Sequence, residues 1–486
     1  MSELIPPAGR GRLPRSFRAV IKPIGSLCNL ECTYCYYLHK KDLLPGTTGR
    51  RITDDLLEEF IRQYLAEQDV EEVVFTWHGG EPALLGLDFY RKVVELQEKY
   101  GAGKRIKNDL QTNGVLLDDA WCEFLKEHGF LVGLSIDGPK ELHDCFRRVG
   151  TGMGISTVGE ARESSTALTP GPSPEAGEGS FDRALTRAGE TGEGRLDCAL
   201  TSAGEGGEGS FDRVYAAARR LREHGVPFNA VTVIHAVNVR HPEEVYRFLT
   251  EELGCRRVQW LPCAELKNFR RVAPGRWDTA EMPVVGSRAA RPGSPESVVT
   301  DWSVDPDDWG EFLCRTFDLW MKEGLGKVLV NWFESLVGQW MGLPAQICSL
   351  GEVCGRSLIA MESDGSLYSC DRFVFPEYKL GNLCDSDRRL GDVVYSIEQR
   401  EFGCKKRNTL PDYCRSCPYG FACNGECPKS RFLKTPDGQP GLNYFCSGIK
   451  RFLEYADPYL RQIAAAVQRK RGIEPLGTSV EVALRE

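Results

Sequence analysis

The sequence predicts an α/β fold built on a parallel sheet, followed by a cysteine-rich metal domain. Three observations carry this. Apolar, strand-like runs alternate with helical stretches, the pattern of parallel pairing with right-handed crossovers. The polar or glycine-rich signals fall at the C-terminal ends of predicted strands, where parallel α/β folds place their ligands. Ten cysteines crowd between Cys348 and Cys446, a number that metal binding explains better than disulfides in a reducing compartment.

Taken in order, Phe17 to Ile24 is apolar and strand-like. Thr53 is placed to cap a helix over Asp54 to Gln68. Glu71 to Trp77 reads as a strand entering His78-Gly79-Gly80-Glu81-Pro82. Glycines there let the backbone approach a ligand closely. Asp88 to Tyr100 is helical, and Ile106 to Thr112 is a strand ending in Gln111-Thr112-Asn113-Gly114. Asp118 to His128 is helical, and Phe130 to Ile136 is a strand ending in Ser135-Ile136-Asp137-Gly138. After a break the alternation resumes with a helix over Phe211 to His224, a strand over Pro227 to His235, a helix over His241 to Leu253 and a strand over Arg257 to Pro262. Ala264 to Thr300 is irregular, Asp305 to Glu323 returns to helix, and Ile449 to Arg471 is an amphipathic helix.

The break is compositional. Residues 154–209 are rich in Gly, Glu, Ser, Thr and Pro, and Glu178-Gly179-Ser180-Phe181-Asp182-Arg183 recurs as Glu208-Gly209-Ser210-Phe211-Asp212-Arg213. Too few large apolar residues are present to offset the entropy of ordering, so disorder is expected there, with Cys198 a bystander. The expected organisation is a core over 1–153 and 210–340, the insertion over 154–209, a cysteine-rich domain over 341–450 and a helix and tail over 451–486. The net charge of −8, without a long basic run, argues against nucleic acid as a partner. No long apolar run predicts a membrane span, and Met1 to Arg15 lacks a signal-peptide core, so a cytoplasmic location is expected.

The chemistry centres on Cys28-Asn29-Leu30-Glu31-Cys32-Thr33-Tyr34-Cys35, three cysteines at C-x3-C-x2-C spacing just after the first strand. Three thiolates hold three irons of a cubane and leave a fourth open to a chelating ligand, whereas most clusters take four cysteines. A zinc loop short of one ligand, or three buried thiols, are the alternatives. Together with His78-Gly79-Gly80-Glu81-Pro82, the loop resembles the signature of the radical S-adenosylmethionine (AdoMet) enzymes. That resemblance implies a partial (β/α)6 barrel, a 4Fe–4S cluster on Cys28, Cys32 and Cys35, and AdoMet on the open iron. It further implies cofactor contacts from Tyr34, Gly79, Ser135, Arg147 and Val231.

The C-terminal run Cys414, Cys417, Cys423, Cys427 has C-x2-C-x5-C-x3-C spacing and is punctuated by Pro418, Gly420, Gly425 and Pro428. By spacing alone this suits structural zinc or iron–sulfur. It resembles the SPASM domain of anaerobic sulfatase-maturating enzymes. By that resemblance Cys348, Cys354, Cys370 and Cys427 hold one auxiliary 4Fe–4S cluster, and Cys414, Cys417, Cys423 and Cys446 hold a second. Asp371, directly after Cys370, is by the same resemblance the general base. Cys384 and Cys404 have no partner in that pattern; with Cys122, Cys145, Cys255, Cys263 and Cys314 they read as small apolar residues.

The resemblance implies AdoMet-dependent radical oxidation of a cysteine or serine in a sulfatase to Cα-formylglycine. The substrate is then a Cys/Ser-x-Pro-x-Arg segment, and the electron donor a low-potential protein such as flavodoxin or ferredoxin. Two alternatives stand beside it. One is a SPASM maturase that crosslinks another ribosomal peptide, and the other is a non-enzymatic zinc scaffold.

Overall fold

The computed structural model describes residues 15–44, 50–150, 209–355 and 358–470. The expected disorder at 154–209 therefore falls, apart from Gly209, outside the described residues. Among the described residues, strands β1 (Arg18–Lys22), β2 (Glu72–Trp77), β3 (Arg105–Thr112), β4 (Leu131–Ser135), β5 (Phe228–Ile234) and β6 (Arg257–Pro262) lie side by side in chain order. All pair in parallel, and the short β7 (Leu329–Val330) extends the far edge. Helices α1 (Asp54–Ala66), α2 (Gly86–Tyr100), α3 (Asp119–Glu127), α4 (Phe211–His224), α5 (Pro242–Arg247) and α6 (Pro306–Leu319) connect or follow these strands. This is the expected partial barrel.

Local chemistry sets the element ends. The Thr53 side chain accepts the Leu56 N–H and starts α1, the role of an N-cap threonine. Asp118 caps α3 by accepting from Trp121 N–H. The helices expected over 241–253 and 305–323 are regular only to Arg247 and Leu319, and then widen into π-turns over Phe248–Glu252 and Trp320–Gly324. The flanks of residues 151–208 meet in space: Arg148 bridges Gly209, and Ser210 Oγ donates to the Arg147 carbonyl (3.0 Å). The arginine segment thus lies against the start of α4.

Unexpectedly from the sequence pattern, the cysteine-rich region enters the barrel sheet. Strand β8 (Leu358–Glu362) pairs in parallel with β1 from Arg18↔Leu358 to Lys22↔Glu362. It then turns back through β9 (Ser366–Tyr368) and β10 (Lys379–Asn382), both antiparallel. Helices α7 (Asn331–Trp340), α8 (Ile397–Asn408) and α9 (Cys446–Lys470) complete the described framework. α9 lies against α6 so closely that a Cβ on Gly448 would stand 1.8 Å from the Pro306 carbonyl oxygen; glycine alone permits that approach. One continuous apolar core, from Phe17 to Ile463, underlies barrel and C-terminal region alike.

Candidate active site

The cysteine loop follows β1 and is held by backbone. Gly80 N–H donates to Gly25 O and Glu81 N–H to Leu27 O, both at 2.8 Å, tying it to the glycine turn after β2. A Cβ on Gly80 would stand 1.9 Å from Leu27 O, so the second glycine is a steric requirement. Gly79 has φ of +126°, and its N–H donates to His78 Nδ1 (2.7 Å). Glu31 N–H to Arg148 O (2.9 Å) and Thr33 N–H to Phe146 O (3.1 Å) fasten the other side. The buried Glu81 carboxylate accepts from Ala83 N–H, the Thr112 hydroxyl and Asn113 N–H. Burial nevertheless raises its pKa to about 7.

Cys28, Cys32 and Cys35 feel one another's charge, although among the described residues no three such side chains are drawn together closely enough to grip a metal. Burial pushes Cys28 well up, with Glu81, Cys32 and Cys35 adding to the effect. Cys32 is pushed up to about 12 by burial, against the pull of Arg147. The other expected cofactor contacts ring the same strand ends. Ser135 and Val231 are register partners on β4 and β5, and the Ser135 hydroxyl accepts from Gln111 Nε2 (3.0 Å). Arg147 is buried with its fork on Asp137, Nε at 2.7 Å and Nη2 at 3.2 Å, and the Tyr34 hydroxyl donates to the same carboxylate. Arg147 is thus positioned by Asp137 and leans on the thiol of Cys32.

Charge influences among the eight C-terminal cysteines follow two sets, although none of these thiols is gathered into a ligand cluster among the described residues. Burial pushes Cys354 up to about 12, with Cys427 and Cys348 adding. Cys370 is raised by burial and then by Cys348, Asp371 and Cys427. Cys427 therefore sits with Cys348, Cys354 and Cys370, although its sequence neighbours belong to the other group. In that second group burial pushes Cys423 up to about 12, with Glu426 and Cys414 adding. Cys446 is raised by burial and by Cys423, Cys414 and Cys417. All eleven of these cysteines are free thiols. An all-sulfur donor set suits iron–sulfur clusters, and the high thiol pKa values express a cost that metal binding, which displaces the protons, removes. Cys384 is exposed. Cys145 departs from its expected reading as a plain apolar residue, because it is disulfide-bonded.

Asp371 stands where the two regions meet. Lys22, at the end of β1, ion-pairs with its Oδ1 (2.6 Å), and Tyr36 of the cysteine loop donates to Oδ2 (2.6 Å). Burial would raise its pKa, but Lys22, His78 and Tyr36 together hold it below the usual carboxylate range. It is therefore ionised at neutral pH. The Lys22 ammonium lies 3.7 Å from the ring centroid of Tyr37, whose hydroxyl donates to Glu362 (2.5 Å). His78 is lowered to about 4, by burial and then by Lys22, so it is neutral. Since Nδ1 accepts the Gly79 N–H, its proton sits on Nε2.

A radical SAM superfamily model matches residues 23–164, and an iron–sulfur cluster-binding domain model, SPASM, matches residues 352–418. The serine-type anaerobic sulfatase-maturating enzyme of Bacteroides thetaiotaomicron is 37% identical over 441 residues, 91% of this chain and 89% of that protein. The chain belongs to the anaerobic sulfatase-maturating enzymes. A cysteine-type member from Clostridium perfringens is 29% identical over 448 residues, 92% of this chain and 97% of that one. A solved structure, native anSMEcpe with bound AdoMet and Cp18Cys peptide, superposes with a TM-score of 0.67 at 28% identity, covering 93% of this chain and 99% of that one. This sulfatase-maturating family member is therefore a radical SAM enzyme with an iron–sulfur-binding SPASM domain. Among the described residues no helix is long and apolar enough to cross a membrane.

Sequence reasoning missed Lys22, Tyr36, His78 and Asp137. A lysine ending an apolar run reads as a surface charge, the usual fate of the type, yet Lys22 is fully buried. The available signal was position: each of these four lies at or just past the C-terminal end of a parallel strand, or inside the cysteine loop.

Proposed function

We propose that this enzyme oxidises a cysteine or serine of a sulfatase to Cα-formylglycine, with Asp371 as the base. The observation that carries the reading is the place of Asp371: bonded to Lys22 and Tyr36 on the barrel side, and adjoining Cys370 on the other. In this reading Cys28, Cys32 and Cys35 hold one 4Fe–4S cluster, Cys348, Cys354, Cys370 and Cys427 a second, and Cys414, Cys417, Cys423 and Cys446 a third, with AdoMet at the first, beside Tyr34, Gly79, Ser135, Arg147 and Val231. When bound, these groups would supply hydrogen-atom abstraction at the substrate Cβ and an acceptor for the second electron.

The chain's own residues do the rest. Asp371, ionised by its ion pair with Lys22, takes the proton from the substrate sulfur or oxygen. Loss of one hydrogen atom, one proton and one electron turns a serine side chain into the aldehyde. A cysteine becomes a thioaldehyde, which water hydrolyses to the aldehyde with release of sulfide. Tyr36 and Lys22 fix the carboxylate so that little reorganisation is needed as the proton moves. The buried Asp137–Arg147 pair orients Tyr34 and the loop around Cys32. A low-potential donor such as flavodoxin or ferredoxin supplies the initiating electron.

The test is anaerobic incubation of the reconstituted protein with AdoMet, dithionite and a peptide carrying Cys- or Ser-x-Pro-x-Arg. Formylglycine by mass spectrometry, with matching 5′-deoxyadenosine, is the expected result. A crosslinked peptide without aldehyde, or no deoxyadenosine from protein carrying its full iron, overturns the reading.

A further inference from the structure

His78 follows the last residue of β2. Its N–H donates to Ile21 O (2.8 Å), one step beyond the Ile21↔Trp77 pair of β1 and β2. Lys22 is therefore its neighbour across the ladder, about 5 Å away backbone to backbone. Phe75 and Trp77 pack outward on aromatic side chains of α1 and α2, so strand alternation turns His78 to the other face, into the barrel. Lys22 shares that neighbourhood and carries the ion pair to Asp371 (2.6 Å).

Lys22, His78 and Tyr36 are the three groups whose charge or hydrogen bonding holds Asp371 ionised. Two of them are already committed. The Lys22 ammonium serves Oδ1 and the Tyr37 ring, and the Tyr36 hydroxyl donates to Oδ2. His78 keeps a donor in hand. Its Nδ1 accepts the Gly79 N–H, its proton sits on Nε2, and Nε2 has no hydrogen-bond partner among the described residues. The residue is half-buried and that atom is not sealed from solvent. Burial and Lys22 lower its pKa to about 4, so at neutral pH it donates without a positive charge that would compete for Asp371.

We infer that the Nε2–H of His78 bonds the side-chain oxygen of the target residue and makes this site serine-directed. The inference rests on the formylglycine reading above, with Asp371 as the base. A serine hydroxyl can accept from His78 while it donates to Asp371. One hydrogen atom leaves Cβ, the proton passes from oxygen to Asp371, and one electron leaves to the acceptor named above; the C–O bond becomes C=O. His78 neither gains nor loses a proton. Negative charge gathers on the oxygen as its proton departs, and a fixed neutral donor stabilises it there. A cysteine needs less help, because its thiol is acidic by itself, with a pKa of about 8.5, and sulfur is a weak acceptor.

The experiment uses the full chain with its clusters reconstituted, and peptides that differ only in serine or cysteine at the target position. kcat, KM and formylglycine formed per 5′-deoxyadenosine are compared for wild type, His78→Gln, which keeps an N–H donor, and His78→Met, which has none. In His78→Met the serine kcat should fall by about 10²-fold and the cysteine kcat by less than about tenfold, the scale of one lost donor to a developing oxyanion. The serine KM should change little, because the contact strengthens only as charge forms. Formylglycine per deoxyadenosine should drop for serine alone, and His78→Gln should restore it. Both substrates are read in one preparation, so a variant that folds only in part still gives their ratio; His78→Leu, also without a donor, repeats the measurement. A structural role for His78 would lower both substrates by the same factor, and that result overturns the inference. So does wild type that converts cysteine and not serine, which leaves formylglycine formation standing. Wild type that takes serine alone is judged by formylglycine per deoxyadenosine: equal yields in His78→Met and His78→Gln overturn the inference. Conversion of neither peptide overturns the parent reading and the role of His78 together.

Discussion

The two cysteine regions are held by different means. The loop carrying Cys28, Cys32 and Cys35 is one short segment, pinned by backbone hydrogen bonds from Gly80, Glu81, Glu31 and Thr33. The C-terminal cysteines come from loops far apart in sequence, and long polar side chains bind those loops together. Gln399 Nε2 donates to the carbonyls of Gly355 (3.1 Å), Leu358 (3.3 Å) and Ser369 (3.0 Å), joining the segments that carry Cys354 and Cys370. Lys406 donates to the carbonyls of Cys348 and Ser349, and Arg431 to those of Gly425, Lys406 and Asn424. A site built on one loop is ordered by its own backbone. A site built from many loops needs side chains that reach across them, because each closure costs chain entropy.

The sharpest way to break the comparison is to empty one region at a time. Replacing Cys28, Cys32 and Cys35 together by alanine should abolish both 5′-deoxyadenosine and formylglycine, with iron falling from about twelve to about eight per chain, one cubane's worth. Replacing Cys414, Cys417, Cys423 and Cys446 should remove the same amount of iron and abolish formylglycine, yet leave AdoMet cleavage measurable. Iron analysis and chromatography of the two products check both outcomes. Next in size is Asp371→Asn, which keeps the shape and loses the base. Formylglycine should fall by about 10²-fold or more while iron content stays at the wild-type level.

The same contrast explains what could be read in advance. The first region was legible because its chemistry is local: C-x3-C-x2-C and His78-Gly79-Gly80-Glu81-Pro82 are contiguous, and the strands that present them alternate cleanly with helices. The α4 and β6 boundaries, Phe211–His224 and Arg257–Pro262, match the sequence pattern end for end. The place of Cys427 could not be read from spacing, since it lies within a run whose other members face elsewhere; family resemblance alone suggested it. Strand β8 was missed because Leu358–Glu362 is a short apolar stretch among cysteines and glycines, and its partner β1 lies more than three hundred residues upstream. Lys22 and Asp371 were unreadable as a pair for the same reason. No local pattern joins them, and the β1–β8 pairing brings the two chain segments together.

A gentler change tests the cross-loop ties. Gln399→Ala removes the donor shared by three carbonyls without touching a cysteine. The expected cost is about 1–3 kcal/mol, the range for leaving buried acceptors unmade. Cys354 and Cys370 lose their common anchor, so iron should fall toward about eight per chain after gel filtration, while AdoMet cleavage persists. Full iron retention with an unchanged denaturation midpoint would show that the loops are ordered without Gln399.

The smallest expected effect sharpens the comparison most, because it asks whether the two regions unfold separately. Thr53 caps α1 through the Leu56 N–H. Thr53→Ala should lower stability by about 1 kcal/mol, the usual cost of an N-cap, and leave iron content and turnover unchanged. The informative reading is which signals move. β8 pairs with β1 over five residues, and one apolar core runs beneath both regions, so the barrel cannot open without stripping Cys354 and Cys370 of their framework. Loss of helical circular dichroism and loss of iron–sulfur absorbance should therefore shift together in denaturant, by the same midpoint change. A shift in the first signal alone would mean that the auxiliary region stands without the barrel, and that the parallel pairing of β1 and β8 contributes little to holding it.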